Sequence, residues 1–438
     1  MPDRTDPSAS IATEAPLPRD GRVRAVIENV TPAVDGGRFP IKRTLGEEVV
    51  VEADCFTDGH DALVCLLRWR HESESDWHEA AMQAAPNDRW RARFRVEKLG
   101  RYAYTVVAWV DAFLSWQSDF RRRVEAEDIR SAALAGAQLA EQAAARAAGT
   151  DATELYACAA KLREAGDVAA IREAALDPVL SALAMRYPDR TYQRCWPVEH
   201  AVWAERELAR FSAWYELFPR SAGPNGRHGS FDDVVRCLPY IARMGFDILY
   251  LPPIHPIGRS RRKGRNNALV AGPEDVGSPW AIGAAEGGHT AIHPQLGDIE
   301  AFRRLVASAR EHGIELALDL AYQCSPDHPY VKQQPQWFRH RPDGSVQYAE
   351  NPPKKYQDIF PFNFESDDWR GLWIELRAVI QHWLDQGVRI FRVDNPHTKA
   401  FPFWEWVIDD IKRRYPEAIF LAEAFTRPKV MHRLAKLG

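Results

Sequence analysis

The sequence is poor in cysteine, and its six cysteines are scattered along the chain without a CxxC pair. This spacing builds neither a disulfide framework nor a zinc site, and it favours reduced thiols in a cytoplasm. The start of the chain, Met1 to Asp20, is polar and proline-rich and lacks the apolar segment of a secretion signal. No later apolar run approaches the ~20 residues of a membrane helix. We therefore expect a soluble, cytoplasmic protein with a disordered leader over residues 1–20.

An excess of basic charge is also missing. The chain carries 57 Lys and Arg against 61 Asp and Glu, a net charge of -4. Because no basic stripe is available for a phosphate backbone, we expect no nucleic-acid partner. What the chain does have is 45% hydrophobic and 11% aromatic residues over 438 positions. This composition is typical of a folded protein with large cores and about two to four domains.

Two types of pattern follow each other in the first half of the chain. Residues 21–125 alternate short β-rich runs with Asp, Gly and Pro turns, which predicts an immunoglobulin-like β-sandwich. From Ala126 the composition shifts to alanine-rich helix formers, and helical patterns continue to Tyr187. Residues 126–205 are thus predicted to form a helical domain that packs within one subunit or joins two subunits.

From Phe211 onward, apolar strand-like runs alternate with amphipathic helices. The predicted strands are Trp214–Phe218, Ile248–Leu251, Glu315–Leu320, Val388–Val393 and Ala418–Ala422. This alternation predicts a parallel sheet, and polar residues at the strand ends favour a (β/α)8 TIM-type barrel over a doubly wound sheet. Because only the first five strands precede Gly438, residues 206–438 are expected to form an incomplete barrel. The insertion at 325–362, after the third strand, is a predicted lid.

Two neighbouring predicted strands end in carboxylates. Asp394 follows one strand, and Arg392 lies two residues earlier, on the same face, where it can orient the carboxylate and keep it ionised. The next strand ends at Glu423 in an apolar setting that raises a carboxyl pKa. Retaining glycosyl transfer needs such a nucleophile and a protonated partner about 5 to 5.5 Å apart. Either acid alone could instead cap a helix or join a salt bridge, but the pair favours catalysis.

These strand ends resemble sequence regions of the α-amylase superfamily of glycoside hydrolases. The resemblance implies that Asp394 is the nucleophile, Glu423 the general acid/base and Arg392 the residue that orients the nucleophile. The third essential acid of that superfamily would lie on a later strand, beyond Gly438. Gln323 and Cys324 stand where many members carry Asn-His with a calcium-binding Asn. A neutral Gln is a poor calcium ligand, which argues against a calcium-dependent hydrolase. The resemblance implies neither a metal nor an organic cofactor.

The predicted lid is rich in hydrogen-bond donors between Glu350 and Asp358, and Asn395 directly follows the nucleophile. Amide, ammonium and phenol donors beside the acid/base suit an anionic leaving group such as phosphate. A Lys-Lys dipeptide by itself is more often a solvated turn, so the interpretation depends on its place in the lid.

Together with the sandwich and the helical segment, these motifs look like one branch of the superfamily, the α-1,4-glucan:maltose-1-phosphate maltosyltransferases. That likeness implies a homodimeric, retaining enzyme that moves maltosyl units from α-maltose 1-phosphate to the non-reducing ends of α-1,4-glucans. It also implies a set of substrate-binding residues. They are Lys263, Asn267, Ser278 and Gln323 at the maltosyl unit, and Asn351, Lys354, Lys355, Tyr356 and Asn395 at the phosphate.

Two alternatives stay open at this point. One is an α-glucan hydrolase or transglycosylase of the same superfamily, and the donor-rich lid argues against it. The other is a non-catalytic amylase-like protein, such as the ectodomains that serve amino-acid transporters. Intact Arg392, Asp394 and Glu423, with no membrane anchor in the sequence, argue against the second.

Overall fold

The computed structural model describes residues 20–438, which divide into two compact units. The first unit comprises the described residues up to 41 together with 48–95 and 101–202, and the second comprises 42–47, 96–100 and 203–438. The predicted leader lies outside the described residues apart from Asp20. Among residues 20–438, no helix is both long and apolar enough to span a membrane.

Short strands dominate the chain up to residue 110 and recur near residue 200. They are β1 (Val26–Thr31), β2 (Ile41–Thr44), β3 (Glu48–Phe56), β4 (Leu63–His71), β5 (His78–Ala81), β6 (Gln83–Ala85), β7 (Arg89–Arg95), β8 (Gly100–Val110), β9 (Arg194–Cys195) and β10 (His200–Glu205). One sheet has the order β1-β3-β7-β6, and β9, β8, β4 and β5 pair in a second. Alternate residues of β3 are buried, as expected of a strand with one face on a core. The prediction of a β-rich N-terminal region is confirmed.

The helices between β8 and β9 are α1 (Ala112–Arg122), α2 (Ala126–Arg146), α3 (Gly149–Glu164), α4 (Val168–Ala175) and α5 (Pro178–Arg186). Helical structure therefore begins before the shift in composition at Ala126. Asp111 starts α1, because its side chain accepts a hydrogen bond from the backbone N–H of Leu114 at 2.9 Å. Helix α1 is not alanine-rich, so composition alone did not distinguish it from the preceding β-rich region.

The second unit contains the predicted parallel sheet. Its elements are α6 (Glu207–Arg210), β11 (Trp214–Glu216), α7 (Phe231–Arg243), β12 (Ile248–Leu251), α8 (Ile299–Glu311), β13 (Glu315–Leu320), β14 (Gln323–Cys324), α9 (Pro329–Gln333), β15 (Ala349–Asn351), β16 (Lys354–Tyr356), β17 (Phe360–Pro361), α10 (Trp369–Asp385), β18 (Ile390–Val393), α11 (Phe401–Arg414), β19 (Ile419–Ala422) and α12 (Pro428–Leu437). Strands β11, β12, β13, β18 and β19 neighbour one another in chain order, and every pair is parallel. Their carboxyl ends consequently meet at one edge of the sheet.

The segment between β13 and α10 lies at that edge. It carries two short antiparallel pairs, β14 with β17 and β15 with β16. The second pair is a hairpin in which Asn351 is opposite Lys354 and Glu350 is opposite Lys355. The segment thus adds polar side chains above the ends of the parallel strands.

Candidate active site

Arg392 joins three carboxylates at the carboxyl end of the parallel sheet. Its Nη1 lies 2.8 Å from Asp319 Oδ2 and 2.9 Å from Asp394 Oδ1, and its Nη2 lies 2.5 Å from Glu423 Oε1. The parallel register places Asp319 opposite Arg392 on neighbouring strands, with Asp394 and Glu423 just beyond the ends of β18 and β19. A planar guanidinium can hold several carboxylates in this way because its donors have fixed directions.

Asp319 anchors this arrangement from below. Its side chain is fully buried, and Tyr250 OH and Trp280 Nε1 donate to Asp319 Oδ2 at 2.5 and 3.3 Å. Burial raises the pKa of Asp319 to about 7, helped by the negative charge of Asp394 and opposed by Arg392. The anchoring role of Asp319 follows from the cross-strand register.

Asp394 and Glu423 form the acid pair that the sequence singled out. Asp394 is buried, whereas Glu423 is half-buried at the edge strand β19. Burial raises the pKa of Glu423, and a hydrogen bond with the Asp394 carboxylate adds to the rise, while Arg392 opposes it. Glu423 therefore holds a proton more tightly than an ordinary glutamate does, beside a carboxylate that the arginine contacts. Such a pair can supply one acid and one nucleophile.

The residue after the nucleophile has an unusual backbone conformation. Asn395 lies in the left-handed region, with φ 45° and ψ 54°. Lys399 supports this turn, because its Nζ donates to Asp394 O and Asn395 O, both at 3.3 Å, and to Thr398 Oγ1 at 3.0 Å. Burial lowers the pKa of Lys399 to about 8. Sequence analysis missed Lys399, since a lysine at this distance from a strand end gives no recognisable signal.

A cavity of about 810 Å³ opens beside Asp394. Seven of the nine predicted substrate-binding residues line it. They are Lys263, Asn267, Ser278, Gln323, Asn351, Tyr356 and Asn395. Trp280 also lines the cavity, and Gln323 Nε2 donates to its backbone oxygen at 3.3 Å. The tertiary structure therefore gathers side chains that are more than 100 residues apart in the sequence.

Two of the predicted substrate-binding residues do not line the cavity. Lys354 and Lys355 lie on β16 and expose their side chains to solvent, outside the wall of the described cavity. Both follow the Pro352–Pro353 turn at the tip of the hairpin, where the surrounding chain covers little of either side chain. The basic residues that line the cavity are Lys263, His397 and Lys399.

One group of side chains has the composition of a metal site. His289, Cys324 and His328 are buried, with possible ligand atoms within 4.8 Å of one another. Protein groups already use the ring nitrogens: Tyr330 N donates to His328 Nδ1, His328 Nε2 lies 3.1 Å from His289 Nδ1, and His289 Nε2 lies 3.0 Å from Ala321 O. Burial lowers the pKa of both histidines to about 3 and raises that of the Cys324 thiol. A protonated thiol and hydrogen-bonded neutral rings make poor metal ligands, so this group is explained by packing.

A parallel α/β sheet with an arginine-bridged acid pair at its carboxyl edge, beside a polar cavity, is an arrangement that suits catalysis by two carboxylates. Comparison with known proteins identifies the family. A family model described as α-1,4-glucan:maltose-1-phosphate maltosyltransferase, domain N/S, matches residues 23–206. A protein of that name from Chlorobaculum tepidum is 53% identical over 96% of this chain and 63% of its own length. Another, from Cereibacter sphaeroides, is 47% identical over 95% of this chain and 70% of its own length.

The chain belongs to the α-1,4-glucan:maltose-1-phosphate maltosyltransferase family. It spans about 63% of the length of the first of these relatives. Among solved structures, an α-amylase from Lactobacillus plantarum is 29% identical over 49% of this chain and 46% of that one, with a TM-score of 0.42. The identities to named maltosyltransferases confirm the branch that the sandwich, the helical segment and the lid motifs predicted.

Proposed function

We propose that the protein transfers maltosyl units from α-maltose 1-phosphate to the non-reducing ends of α-1,4-glucans, with retention and release of phosphate. The observation that carries this proposal is the Arg392 bridge between Asp394 and Glu423 beside a polar cavity, in a chain of the maltosyltransferase family. The proposed role is in α-glucan or glycogen biosynthesis.

In the proposed mechanism Asp394 attacks the anomeric carbon of the donor, and Glu423 gives its proton to the departing phosphate. This step forms a covalent glycosyl-enzyme ester and breaks the bond between carbon and phosphate oxygen. Glu423, now ionised, takes the proton of the acceptor 4-hydroxyl, which attacks the ester and frees Asp394. The raised pKa of Glu423 supports the acid role.

The residues that line the cavity support separate binding of the two parts of the donor, the maltosyl unit and the phosphate. Lys263, Asn267, Ser278 and Gln323 would hold the maltosyl unit. Asn351, Tyr356 and Asn395 would donate to the phosphate oxygens. Lys354 and Lys355 extend from the same hairpin and stay predictions as phosphate ligands.

The architecture proposed for the whole catalytic domain is a (β/α)8 barrel. The five parallel strands in chain order support this, as the first five of eight, with residues 325–362 as the lid. Residues 21–125 and 126–205 would form the immunoglobulin-like sandwich and the helical domain. The third acid of the superfamily would follow a later strand.

We further propose a cytoplasmic homodimer that associates through the helical segment. Large apolar side chains exposed on α2, α3 and α5 support this proposal. They are Leu134, Tyr156, Val179 and Met185. An apolar helical surface of this kind is typical of subunit contacts.

The test mixes the purified full-length protein with α-maltose 1-phosphate and a malto-oligosaccharide, and follows free phosphate and the oligosaccharide masses. Growth in disaccharide steps, matched by phosphate and with α-linked product, is expected. Phosphate with free maltose would instead identify a hydrolase. Inverted product stereochemistry would rule out the double-displacement mechanism, and no turnover would favour a non-catalytic protein.

A further inference from the structure

One oxygen of the buried Asp319 carboxyl receives three hydrogen bonds, and the other receives none. Tyr250 OH, Arg392 Nη1 and Trp280 Nε1 donate to Oδ2 at 2.5, 2.8 and 3.3 Å. Within residues 20–438, Oδ1 has no hydrogen-bond partner. The side chain is fully buried, so its charged form depends on these three donors. A proton that binds this carboxyl goes to Oδ1, the oxygen that no donor occupies.

Tyr250 reaches this carboxyl because of the strand order. Strand β13 lies between β12, which carries Tyr250, and β18, which carries Arg392. The register places Tyr250 opposite Ala317, two residues before Asp319 and on the same face of the sheet. Tyrosine and arginine thus approach the carboxyl from opposite sides. Burial and the negative charge of Asp319 raise the pKa of Tyr250, so its hydroxyl keeps the proton that it donates.

Arg392 Nη1 is shared between two carboxylates. It lies 2.8 Å from Asp319 Oδ2 and 2.9 Å from Asp394 Oδ1, so each of its two hydrogens serves one of them. A proton on Asp319 removes the charge that holds Nη1 on that side. The guanidinium is then drawn to Asp394 and Glu423 alone. Its undivided charge makes the nucleophile less reactive and the acid/base a poorer proton holder.

We propose that Tyr250 is a positioning residue: by donating to Asp319 it keeps that carboxyl ionised, and the ionised carboxyl holds Arg392 in place between the nucleophile and the acid/base. We call Tyr250 and Asp319 the relay. Tyr250 is not part of the described cavity wall, so it acts through its neighbours rather than on substrate. This inference rests on the proposed function, and it assigns the loss of activity at low pH to the relay.

The charges around the relay place its titration near neutral pH. Burial raises the pKa of Asp319 to about 7, opposed by Arg392 and helped by the charge of Asp394. The hydrogen bonds from Tyr250 and Trp280 lower it. The charged and titratable groups that face the relay are Arg392 on β18, Asp394 and Lys399 after it, Glu423 after β19, and Glu216 on β11. Without the Tyr250 hydroxyl, Asp319 takes up its proton at a higher pH, and activity is lost as the pH falls through that value.

The first measurement is the pH dependence of kcat/KM for phosphate release by the full-length protein between pH 5 and 10. The midpoint on the acid side is expected near pH 7 in the wild type. Tyr250→Phe should move it upward by about 1 pH unit or more, as the loss of a hydrogen bond to a charged group does. Tyr215→Phe removes a hydroxyl from the neighbouring strand β11 and should leave the midpoint unchanged. A loss of rate that is equal at every pH would show a merely structural effect and overturn the proposal.

Infrared spectroscopy tests the relay without turnover. Subtracting the spectrum of Asp319→Asn from that of the wild type isolates the carbonyl band of the protonated Asp319 carboxyl. This band should appear as the pH falls through about 7. In Tyr250→Phe, with Tyr250→Phe/Asp319→Asn as its reference, the band should appear about 1 pH unit higher. Equal midpoints in the two pairs, or no band between pH 5 and 9, would overturn the relay.

Crystal structures of Tyr250→Phe, determined below and above its infrared midpoint, test the positioning itself. Arg392 Nη1 should lie away from Asp319 Oδ2 at the lower pH and within hydrogen-bond distance at the higher pH. An Nη1 atom that stays in place would overturn the proposal. A relay that titrates and moves as expected in a protein that releases no phosphate from α-maltose 1-phosphate would refute the proposed function alone.

Asp319→Asn keeps the proposal testable where Tyr250→Phe does not fold. The amide keeps the shape of the side chain and an oxygen for Arg392 Nη1, but it cannot ionise. We expect kcat/KM at pH 9 to fall by about 10-fold or more, and the midpoint near pH 7 to disappear. An Asp319→Asn enzyme that keeps the wild-type midpoint would overturn the assignment.

Discussion

At the scale of single residues, Arg392 is the side chain on which the site depends. Its guanidinium contacts Asp319, Asp394 and Glu423, and only 14% of the side chain is exposed. Burial lowers the pKa of Arg392, but the negative groups around it outweigh this effect and raise it. The arginine therefore stays charged, and the carboxylates around it would repel one another without it.

We expect Arg392→Met to lower the free energy of unfolding by about 3 kcal/mol, because it leaves the buried Asp319 without its cation. Thermal unfolding measures this loss, and Asp319→Asn in the same chain should recover part of it. Arg414→Met is the control, since Arg414 pairs with Asp410 on the surface and should cost less than about 0.5 kcal/mol. Equal losses in the two single variants would show that the bridge adds no stability.

Lys399 is a positioning residue rather than a group that reaches substrate, because its three donors are used by the turn after Asp394. Lys399→Met should reduce kcat/KM by about 10-fold or more, as Asn395 loses the support of its left-handed conformation. The pKa of about 8 means that the ammonium is charged below that pH and loses its proton above it. Activity at alkaline pH should thus persist further in Lys399→Arg than in the wild type.

Initial rates measured between pH 6 and 10 test this expectation in the wild type, Lys399→Arg and Lys399→Met. Lys429→Met, a change of an exposed lysine on α12, is the control and should leave both rate and pH profile unchanged. The positioning role is wrong if Lys399→Met keeps the wild-type kcat/KM.

At the scale of elements, close packing of α1 on α2 depends on a glycine. A Cβ at Gly136 would lie 2.0 Å from the Trp116 ring. That ring cannot move aside cheaply, because Trp116 Nε1 donates to Ala132 O at 2.7 Å and the ring packs against Phe113 and Phe120. Alanine-rich helices can pack closely, and Gly136 marks the contact of α1 with α2 that leaves no room for a Cβ.

Gly136→Ala should therefore destabilise the first unit by about 2 kcal/mol, although alanine is the better helix former. Circular dichroism during thermal unfolding measures the effect. Gly166→Ala provides the comparison, because a Cβ there meets nothing within 4 Å, and it should be neutral or slightly stabilising. A stabilised Gly136→Ala protein would mean that the tryptophan repacks.

At the scale of the whole molecule, the proposed barrel makes a prediction about chain length. Strand β19 is the last strand of the described sheet, and Leu421 and Phe425 beside it are 46% and 84% exposed. Further strands would cover such a sheet edge. We expect a polypeptide of residues 1–438 to transfer maltosyl units at least ~100-fold more slowly than a chain that carries the later strands, because part of the active site would be unsupported. Equal rates would contradict the eight-stranded proposal.

The proposed dimer can be tested separately. Light scattering should give twice the mass of one chain, and Tyr156→Asp with Met185→Asp should give a monomer, because charges replace exposed apolar side chains. Thr153→Asp on the exposed surface of α3 adds charge without removing an apolar group and serves as control. A monomeric wild-type protein would contradict the proposal.

Much of the parallel sheet and of the candidate active site could be predicted from local sequence patterns. All five parallel strands lie within the predicted runs, because each is an apolar segment bounded by turns. Asp394 and Glu423 were recognisable as a pair, because carboxylates at the ends of two neighbouring strands suit retaining glycosyl transfer, whereas either acid alone could cap a helix or join a salt bridge. Seven substrate-binding residues predicted from the family likeness line one cavity. The exposure of Lys354 and Lys355 could not be predicted, because it depends on how the β15–β16 hairpin is oriented relative to the rest of the segment.

The sequence by itself indicated the family, the five strand segments of the parallel sheet and the two candidate acids, because each depends on residues close together in the chain. Only the tertiary structure decided which distant groups complete the site. Asp319 meets Arg392 through strand register across 73 residues, and Lys263 and Asp358 line one cavity from different loops. Burial, which raises the pKa of Asp319, arises from packing of the whole unit, and no local pattern records it.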